Sequence, residues 1–317
     1  MGVNMDISEL GGEFALIERL TRAGGAVVGV GDDAAVLEYT GDKYLLVTTD
    51  MLCDGDHFRR DWSAPEDIGV KAMESNVSDI AAMGGLPTYA LVSISLTDDV
   101  TVEFMDGFYK GLYSVADEYG FSVVGGDTTH SNTMAVSIAL LGEVEKDMMS
   151  LRSDAMVGDL ICVTGDLGKS KAGLELMLVG LGGDTSAHTR PRCRLREARE
   201  ITRHCNAMID VSDGLASEVN HICRMSGVGA VVHRDRIPVS EPTRESAMKL
   251  DADPIGYALN GGEDYELVFT IAEGDLPKIK VGCPITVVGE IVEKSEGTIL
   301  DDSGVLKPLE GGYNHFQ

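Results

Sequence analysis

Apolar positions along this chain follow two rhythms. Short runs at residues 27–30, 44–48, 91–96, 121–124 and 135–144 read as strands. Between them, apolar residues recur at spacings of three and four. This holds for 13–20 (Phe14, Ile17, Leu20), for the segment after Pro65 (Val70, Met73, Val77, Ile80) and for 102–119, and it predicts helices. The polar side of the second helix carries Lys71, Ser75 and Asp79, each four residues apart and so on one stripe. Residues 145–158 are polar and charged, and the domain boundary is expected there. The pattern then restarts with a strand at 160–164, a Gly turn and a helix around 172–178. A helix-compatible stretch covers 190–203. A strand at 207–211 runs into Ser212-Asp213-Gly214, followed by a helix through Leu215, Val219 and Ile222, and further strands fall at 267–271 and 285–292. Strands and helices mix in both halves, which predicts two α/β or α+β domains, 1–147 and 148–317.

Composition narrows the function classes. At 317 residues the chain has room for two cores. A formal charge of −26 argues against nucleic acid as a partner, since binding it requires Lys and Arg to neutralise phosphates. No apolar run approaches the ~18 residues of a membrane span, and the acidic start (Asp6, Glu9, Glu13) does not read as a secretory signal. Six cysteines without a Cys-x-x-Cys pair or zinc spacing read as free thiols in a reducing compartment. The expectation is a cytoplasmic protein. His-Glu-x-x-His and Gly-x-Ser-x-Gly sequences are absent, which removes the usual support for zinc and serine hydrolases.

Five short clusters carry the candidate chemistry: Gly31-Asp32-Asp33-Ala34, Thr48-Thr49-Asp50, Asn76-Val77-Ser78-Asp79, Gly125-Gly126-Asp127-Thr128-Thr129 and Asp210-Val211-Ser212-Asp213-Gly214. Each sets Asp beside small residues where an apolar run ends or a helix turns. Singly, each is an ordinary capped turn. Together they offer hard oxygen ligands suited to Mg²⁺ and phosphate chemistry. Asp33, Asp50, Asp79, Asp127 and Asp210, spread over several element ends, have the capacity to hold more than one ion. Such ions would also resolve the repulsion between an acidic protein and a nucleotide.

Two rival signals are weaker. Leu167-Gly168-Lys169-Ser170 sits where a phosphate-binding loop would, but the full pattern needs Gly five residues before Gly168, and Val163 stands there. Gly29-x-Gly31 lacks the third Gly of a dinucleotide fingerprint. Gly182-Gly183-Asp184-Thr185 copies the earlier Gly-Gly-Asp-Thr but follows a helical segment, and reads as a helix stop and surface turn.

These clusters, with Gly12-Glu13-Phe14, His57-Phe58, Gly261-Gly262-Glu263-Asp264-Tyr265-Glu266-Leu267 and Gly312-Tyr313, run in order over nearly the whole chain. In that order they resemble the thiamine-monophosphate kinase family. The resemblance implies ATP-dependent phosphorylation of thiamine monophosphate with Mg²⁺. It also implies the two-domain fold of aminoimidazole ribonucleotide synthetase and a homodimer built through the N-terminal sheets. Carried over by residue, Asp33, Thr48, Thr49, Asp50, Asp79, Asp127 and Asp210 would hold Mg²⁺, with Asp213 a further ligand. Gly126, Asp127, Arg152, Ser212 and Tyr109 would contact ATP, and Asp127, Arg152 and Asp210 would carry catalysis. His57, Glu263 and Tyr313 would face thiamine monophosphate. Arg152 would supply a fixed cationic fork for phosphate oxygens, and Tyr313 would stack on a flat, cationic ring. Glu74-Ser75 and Cys53-Asp54 depart from the family's more apolar residues there. Alternatives are another ATP-using enzyme of the superfamily or a non-catalytic nucleotide- or metal-binding module. No Cys lies near the N-terminus and none ends the chain, as selenophosphate synthetase and the hydrogenase-maturation dehydratase would respectively want.

Overall fold

The computed structural model describes residues 7–10, 13–21 and 24–313. Helices α1 (Ile7–Leu10) and α2 (Glu13–Leu20) precede a five-stranded sheet of β1 (Ala35–Glu38), β2 (Lys43–Cys53), β3 (Leu86–Leu96), β4 (Ser122–His130) and β5 (Ala135–Glu145). The strand order is β1-β2-β5-β3-β4, with β3 and β4 parallel and the other pairs antiparallel. On β5, Val136, Ile138 and Leu140 are buried while the residues between them are only partly covered, the period-two alternation of a sheet with one packed face. Helix α3 (Pro65–Ala82) lies on that face, and α4 (Val102–Tyr119) packs on α3. Pro65 opens α3 at a position that needs no N–H partner. Thr101 caps α4 by accepting the Phe104 N–H at 3.2 Å.

The second sheet contains β6 (Leu160–Thr164), β7 (Met208–Asp210), β8 (Gly229–His233), β9 (Leu267–Ile271), β10 (Ile285–Val292), β11 (Thr298–Asp302) and β12 (Val305–Pro308), in the order β12-β11-β8-β10-β6-β9-β7. Helices α5 (Lys169–Leu178), α6 (Ser186–Thr189), α7 (Leu195–Ile201), α8 (Leu215–Ser226), α9 (Glu241–Lys249) and α10 (Pro254–Asn260) accompany it. Helix α3 touches this half too, through α7 and β7, so its buried length is shared by both cores.

Several elements differ from the sequence expectation. Residues 27–30 make only isolated bridges, Val28 with Val36 and Val30 with Asp32, because Gly29 and Gly31 interrupt the ladder. Strands β2 and β4 do not stop before their Asp clusters but run through Thr48-Thr49-Asp50 and Gly125–Thr129. The stretch 190–203 is helical only from Leu195. Pro191 drives Arg190 out of the helical region, to φ −141° and ψ 65°. The segment after Asp184 holds α6, whose first turn Asp184 caps by accepting the Ser186 N–H at 3.0 Å. On α2, Ile17 and Leu20 are exposed, and the Phe14 side chain lies outside the described residues.

Candidate active site between the two sheets

Three carboxylates from distant parts of the chain meet where α3 reaches β7. Asp33 precedes β1, Asp79 ends α3 and Asp210 ends β7, and each offers an oxygen within 4.8 Å of the others. Burial, then the charges of Asp50, Asp210 and Asp33, pushes Asp79 well above the ordinary carboxylate range. Burial and the Asp33 charge do the same to Asp210, and burial also raises Asp50. Among the described residues this is the one group of three or more such ligands close enough to share an ion, and its donors are all hard oxygens.

The helix motif Asn76-Val77-Ser78-Asp79 builds the surroundings. Asn76 Oδ1 accepts the Asp50 N–H at 3.1 Å, and Ser78 Oγ donates to Asp210 Oδ2 at 2.5 Å. Thr48 Oγ1 donates to Asp79 Oδ2 at 2.5 Å. Arg152 crosses from the second half to Asp33, with Nε 3.2 Å from Oδ2 and a second guanidinium nitrogen on Oδ1. Its backbone N–H donates to Asp32 at 3.1 Å. Burial and the Asp33 charge push Asp32 up to about 6, against the pull of Arg152.

Beside the cluster lies a cavity of about 260 Å³, lined by Asp50, His57, Asp79, Asp210, Ser212, Asp213, Glu263 and Tyr313. The run Gly261–Leu267 folds back on the Asp210 loop. The Glu263 N–H donates to Ser212 O at 2.8 Å and the Tyr265 N–H to Val211 O at 3.0 Å. Gly262 lies so close that a Cβ there would meet Ser212 O at 2.1 Å, which excludes any side chain. Tyr313 closes the cavity, its N–H donating to Asp213 O at 3.0 Å. His57 Nδ1 accepts the Cys53 N–H at 3.2 Å, which sets the neutral ring's proton on Nε2.

Four expected site residues lie elsewhere in the single chain. Asp127, Gly126, Thr49 and Tyr109 do not line the cavity, whereas Asp33, Thr48 and Arg152, also outside its lining, meet the cluster directly. Across the sheet, Asp50 opposes Ile138, Ile138 opposes Val92 and Val92 opposes Gly126, which separates Gly126 from Asp50 by three strand spacings, about 14 Å. Asp127 and Thr49 are exposed, in the sheet rows that alternate with the buried one. Gly126 is needed where it stands, because a Cβ would strike Val92 O at 1.8 Å. Tyr109 packs on α4 beside Phe108 and Tyr113, with ring centroids 5.5 and 5.9 Å away.

The sequence reading missed several groups. Lys71, 2% exposed, donates to Glu263 Oε2 at 2.9 Å and to His57 O at 2.7 Å. His188, in α6, also reaches Glu263. Glu218 is buried and accepts the Asp213 N–H at 2.8 Å. The stripe Lys71-Ser75-Asp79 was a signal for the first, whereas nothing in the local sequence marks the other two. The Gly168 turn is occupied from within. The N–H groups of Gly168 and Ser170 donate to the Asp264 carboxylate at 2.6 and 3.0 Å, where a phosphate-binding loop would hold its ligand. Burial pushes Asp264 up to about 7.

Two sheets joined through one central helix, with an acidic cluster at the junction, define a two-domain protein of the AIR synthase related class. The model of the AIR synthase related protein N-terminal domain matches residues 31–144, and that of the C-terminal domain matches 156–302. The thiamine-monophosphate kinase of Aquifex aeolicus (strain VF5) is 38% identical, covering 98% of this chain and 100% of its own. That of Bacillus subtilis (strain 168) is 34% identical, covering 96% and 99%. The solved structure of AaThiL complexed with AMPPCP and TMP superposes with a TM-score of 0.90 at 37% identity, covering 99% of this chain and 100% of that one. The chain belongs to the thiamine-monophosphate kinase family.

Proposed function

We propose that this chain transfers the terminal phosphoryl group of ATP to thiamine monophosphate, giving thiamine diphosphate. The observation that carries this reading is the cavity, with a buried all-oxygen cluster at one end and a carboxylate held by Lys71 and His188 at the other. A relative solved with AMPPCP and TMP aligns over 99% of the chain.

We assign Mg²⁺ to Asp33, Asp79 and Asp210, with Thr48, Thr49, Asp50, Asp127 and Asp213 as further ligands. The donor set fits a hard cation, because three carboxylates within 4.8 Å repel one another unless an ion lies between them. Bound there, Mg²⁺ would supply positive charge to offset the negative charge of the phosphate groups. Arg152 presents its guanidinium to the phosphates of ATP, and Ser212, Gly126, Asp127 and Tyr109 complete the ATP contacts. Catalysis rests on Asp127, Arg152 and Asp210. His57 Nε2 meets the acceptor phosphate, Glu263 the cationic ring and Tyr313 its face. The acceptor oxygen is ionised at neutral pH, so no general base is required and transfer is direct, a matter of alignment and charge.

A homodimer through the N-terminal sheets resolves the position of Asp127. The outer sheet face exposes Tyr89 (53%), Leu91 (41%) and Val124 (57%), a surface suited to burial. The edge strand β4 offers unpaired backbone groups. In such a pair, Gly126 and Asp127 of one chain complete the site of the other. The activity belongs in the cytoplasm, a reading supported by the six cysteines being free. Incubation with Mg²⁺, ATP and thiamine monophosphate tests the proposal. Thiamine diphosphate and ADP should appear in equal amounts, and ADP without thiamine diphosphate, or neither product, contradicts it.

A further inference from the structure

Lys71 is an ammonium placed in the middle of a buried helix, a costly position unless its hydrogen bonds are filled. Its contacts point to one place. The Nζ group lies 2.7 Å from His57 O, on the loop after β2, and 2.9 Å from Glu263 Oε2, in the other half of the chain. His188 approaches the same oxygen from α6, with Nδ1 at 3.3 Å, while the Oγ of Ser170 is 3.1 Å from that nitrogen. Glu263 itself sits at φ +61°, a left-handed conformation that a non-glycine residue adopts only when its surroundings hold it there. Helices α3 and α6 therefore converge on one carboxylate of the Gly262 turn that lines the cavity, and Lys71 ties the His57 loop to the same point.

We infer that Lys71 and His188 are positioning residues for the acceptor: together they fix the Glu263 carboxylate and the His57 loop so that the cavity selects a phosphate monoester carrying a cationic ring. The inference rests on the reading of the cavity as the thiamine monophosphate site. Lys71 supplies the charge that keeps Glu263 an anion, and His188 supplies the direction. With both on Oε2, the carboxylate cannot swing to the metal cluster, where it would add to the repulsion among Asp33, Asp79 and Asp210. A single ammonium also ties the loop that aims His57 to the wall that meets the ring, so the two ends of the acceptor are held in register. ATP makes neither contact, because its expected ligands are Gly126 and Asp127 on β4, Tyr109 on α4, Arg152 and Ser212, whereas Lys71 and His188 both bond to the Glu263 carboxylate.

Calorimetric binding of thiamine monophosphate and, separately, of Mg²⁺-AMPPCP to the full chain tests this, beside steady-state kinetics. K71M should weaken thiamine monophosphate about tenfold or more, in Kd and KM alike, with AMPPCP binding changed less than about threefold. H188N should weaken the same ligand about threefold with the same selectivity, and it carries the comparison if K71M does not fold. In an E263Q background, K71M should add less than about threefold, because its target is already neutral. Equal weakening of both ligands, unchanged acceptor binding, or a full additional loss in E263Q would each overturn the inference. A wild-type protein that binds thiamine monophosphate while K71M and H188N bind it equally well defeats the inference alone. A wild-type protein that neither binds nor phosphorylates it defeats the functional reading as well.

Discussion

At one end of the cavity Asp33, Asp79 and Asp210 face one another with a single guanidinium, that of Arg152, beside them. At the other, Glu263 lies between Lys71 and His188. Both ends bury carboxylates, yet the outcomes are opposite. Burial and mutual repulsion push Asp79 and Asp210 up. Burial alone would raise Glu263 too, but the charge of Lys71 and the His188 hydrogen bond outweigh it and hold Glu263 at about 2. The first end is incomplete without a cation from solution, and the second carries its own. One cavity thus separates the place where phosphate charge is neutralised from the place where a cationic acceptor is recognised.

The largest effect should come from breaking the cation-requiring end. Asp79→Asn and Asp210→Asn should each lower kcat about 10²–10³-fold, a loss of about 2.7–4 kcal/mol of transition-state stabilisation, with circular dichroism unchanged. Retention of near wild-type turnover in either would remove the cluster from the mechanism. Asp127→Asn should cost a similar factor, although its neighbour Gly126 lies three strand spacings, about 14 Å, from Asp50 across the sheet. Mixing inactive Asp127→Asn and Asp210→Asn proteins after subunit exchange should restore activity at roughly a quarter of the sites, from one intact site in each mixed dimer. No recovery, together with sedimentation as a monomer, would contradict the shared site.

The self-sufficient end has a pH signature. Because the folded value of Glu263 is depressed from 4.5 to about 2, its contribution to stability is fully present above pH 4.5 and is lost as pH falls toward 2. Denaturant unfolding should show wild type exceeding Glu263→Gln by at most about 3 kcal/mol near pH 7, with the gap closing below pH 4. A gap independent of pH would mean that Glu263 is not held by charge. The cluster should behave with the opposite sign. Without divalent cation, the raised Asp79 and Asp210 stabilise the fold below about pH 4, and that contribution fades as pH rises. The smallest effect is expected at Asp184→Asn in the look-alike Gly-Gly-Asp-Thr, where the carboxylate only caps α6. Turnover there should stay within about twofold.

Much of this arrangement was legible before any coordinates. Apolar periodicity predicted Val102–Tyr119 at its observed limits and located α3, because both are long helices with strong patterns. The acidic clusters named Asp33, Asp79 and Asp210, and context separated Asp184 from them. What escaped was long-range. Spacing on a helix places Ser78 beside Asp79 but cannot say that Asp210 arrives 132 residues later to meet it. Lys71 looked like the solvent side of a helix because its partner, Glu263, is 192 residues away. Strand ends were misplaced at Thr48 and Val124 because polar residues are compatible with a ladder whose outer face is open. His188 carried no pattern, since α6 is a single turn.

The most direct test of the separation is a magnesium titration of turnover in wild type, Asp79→Asn and Glu263→Gln, starting from protein stripped with chelator. Wild type should be inactive in excess chelator and recover fully with Mg²⁺. Asp79→Asn should need far more Mg²⁺ for any activity, while Glu263→Gln should keep the wild-type Mg²⁺ midpoint and show only a raised KM for thiamine monophosphate. Full activity in excess chelator, or a Mg²⁺ midpoint displaced equally by both substitutions, would contradict the account.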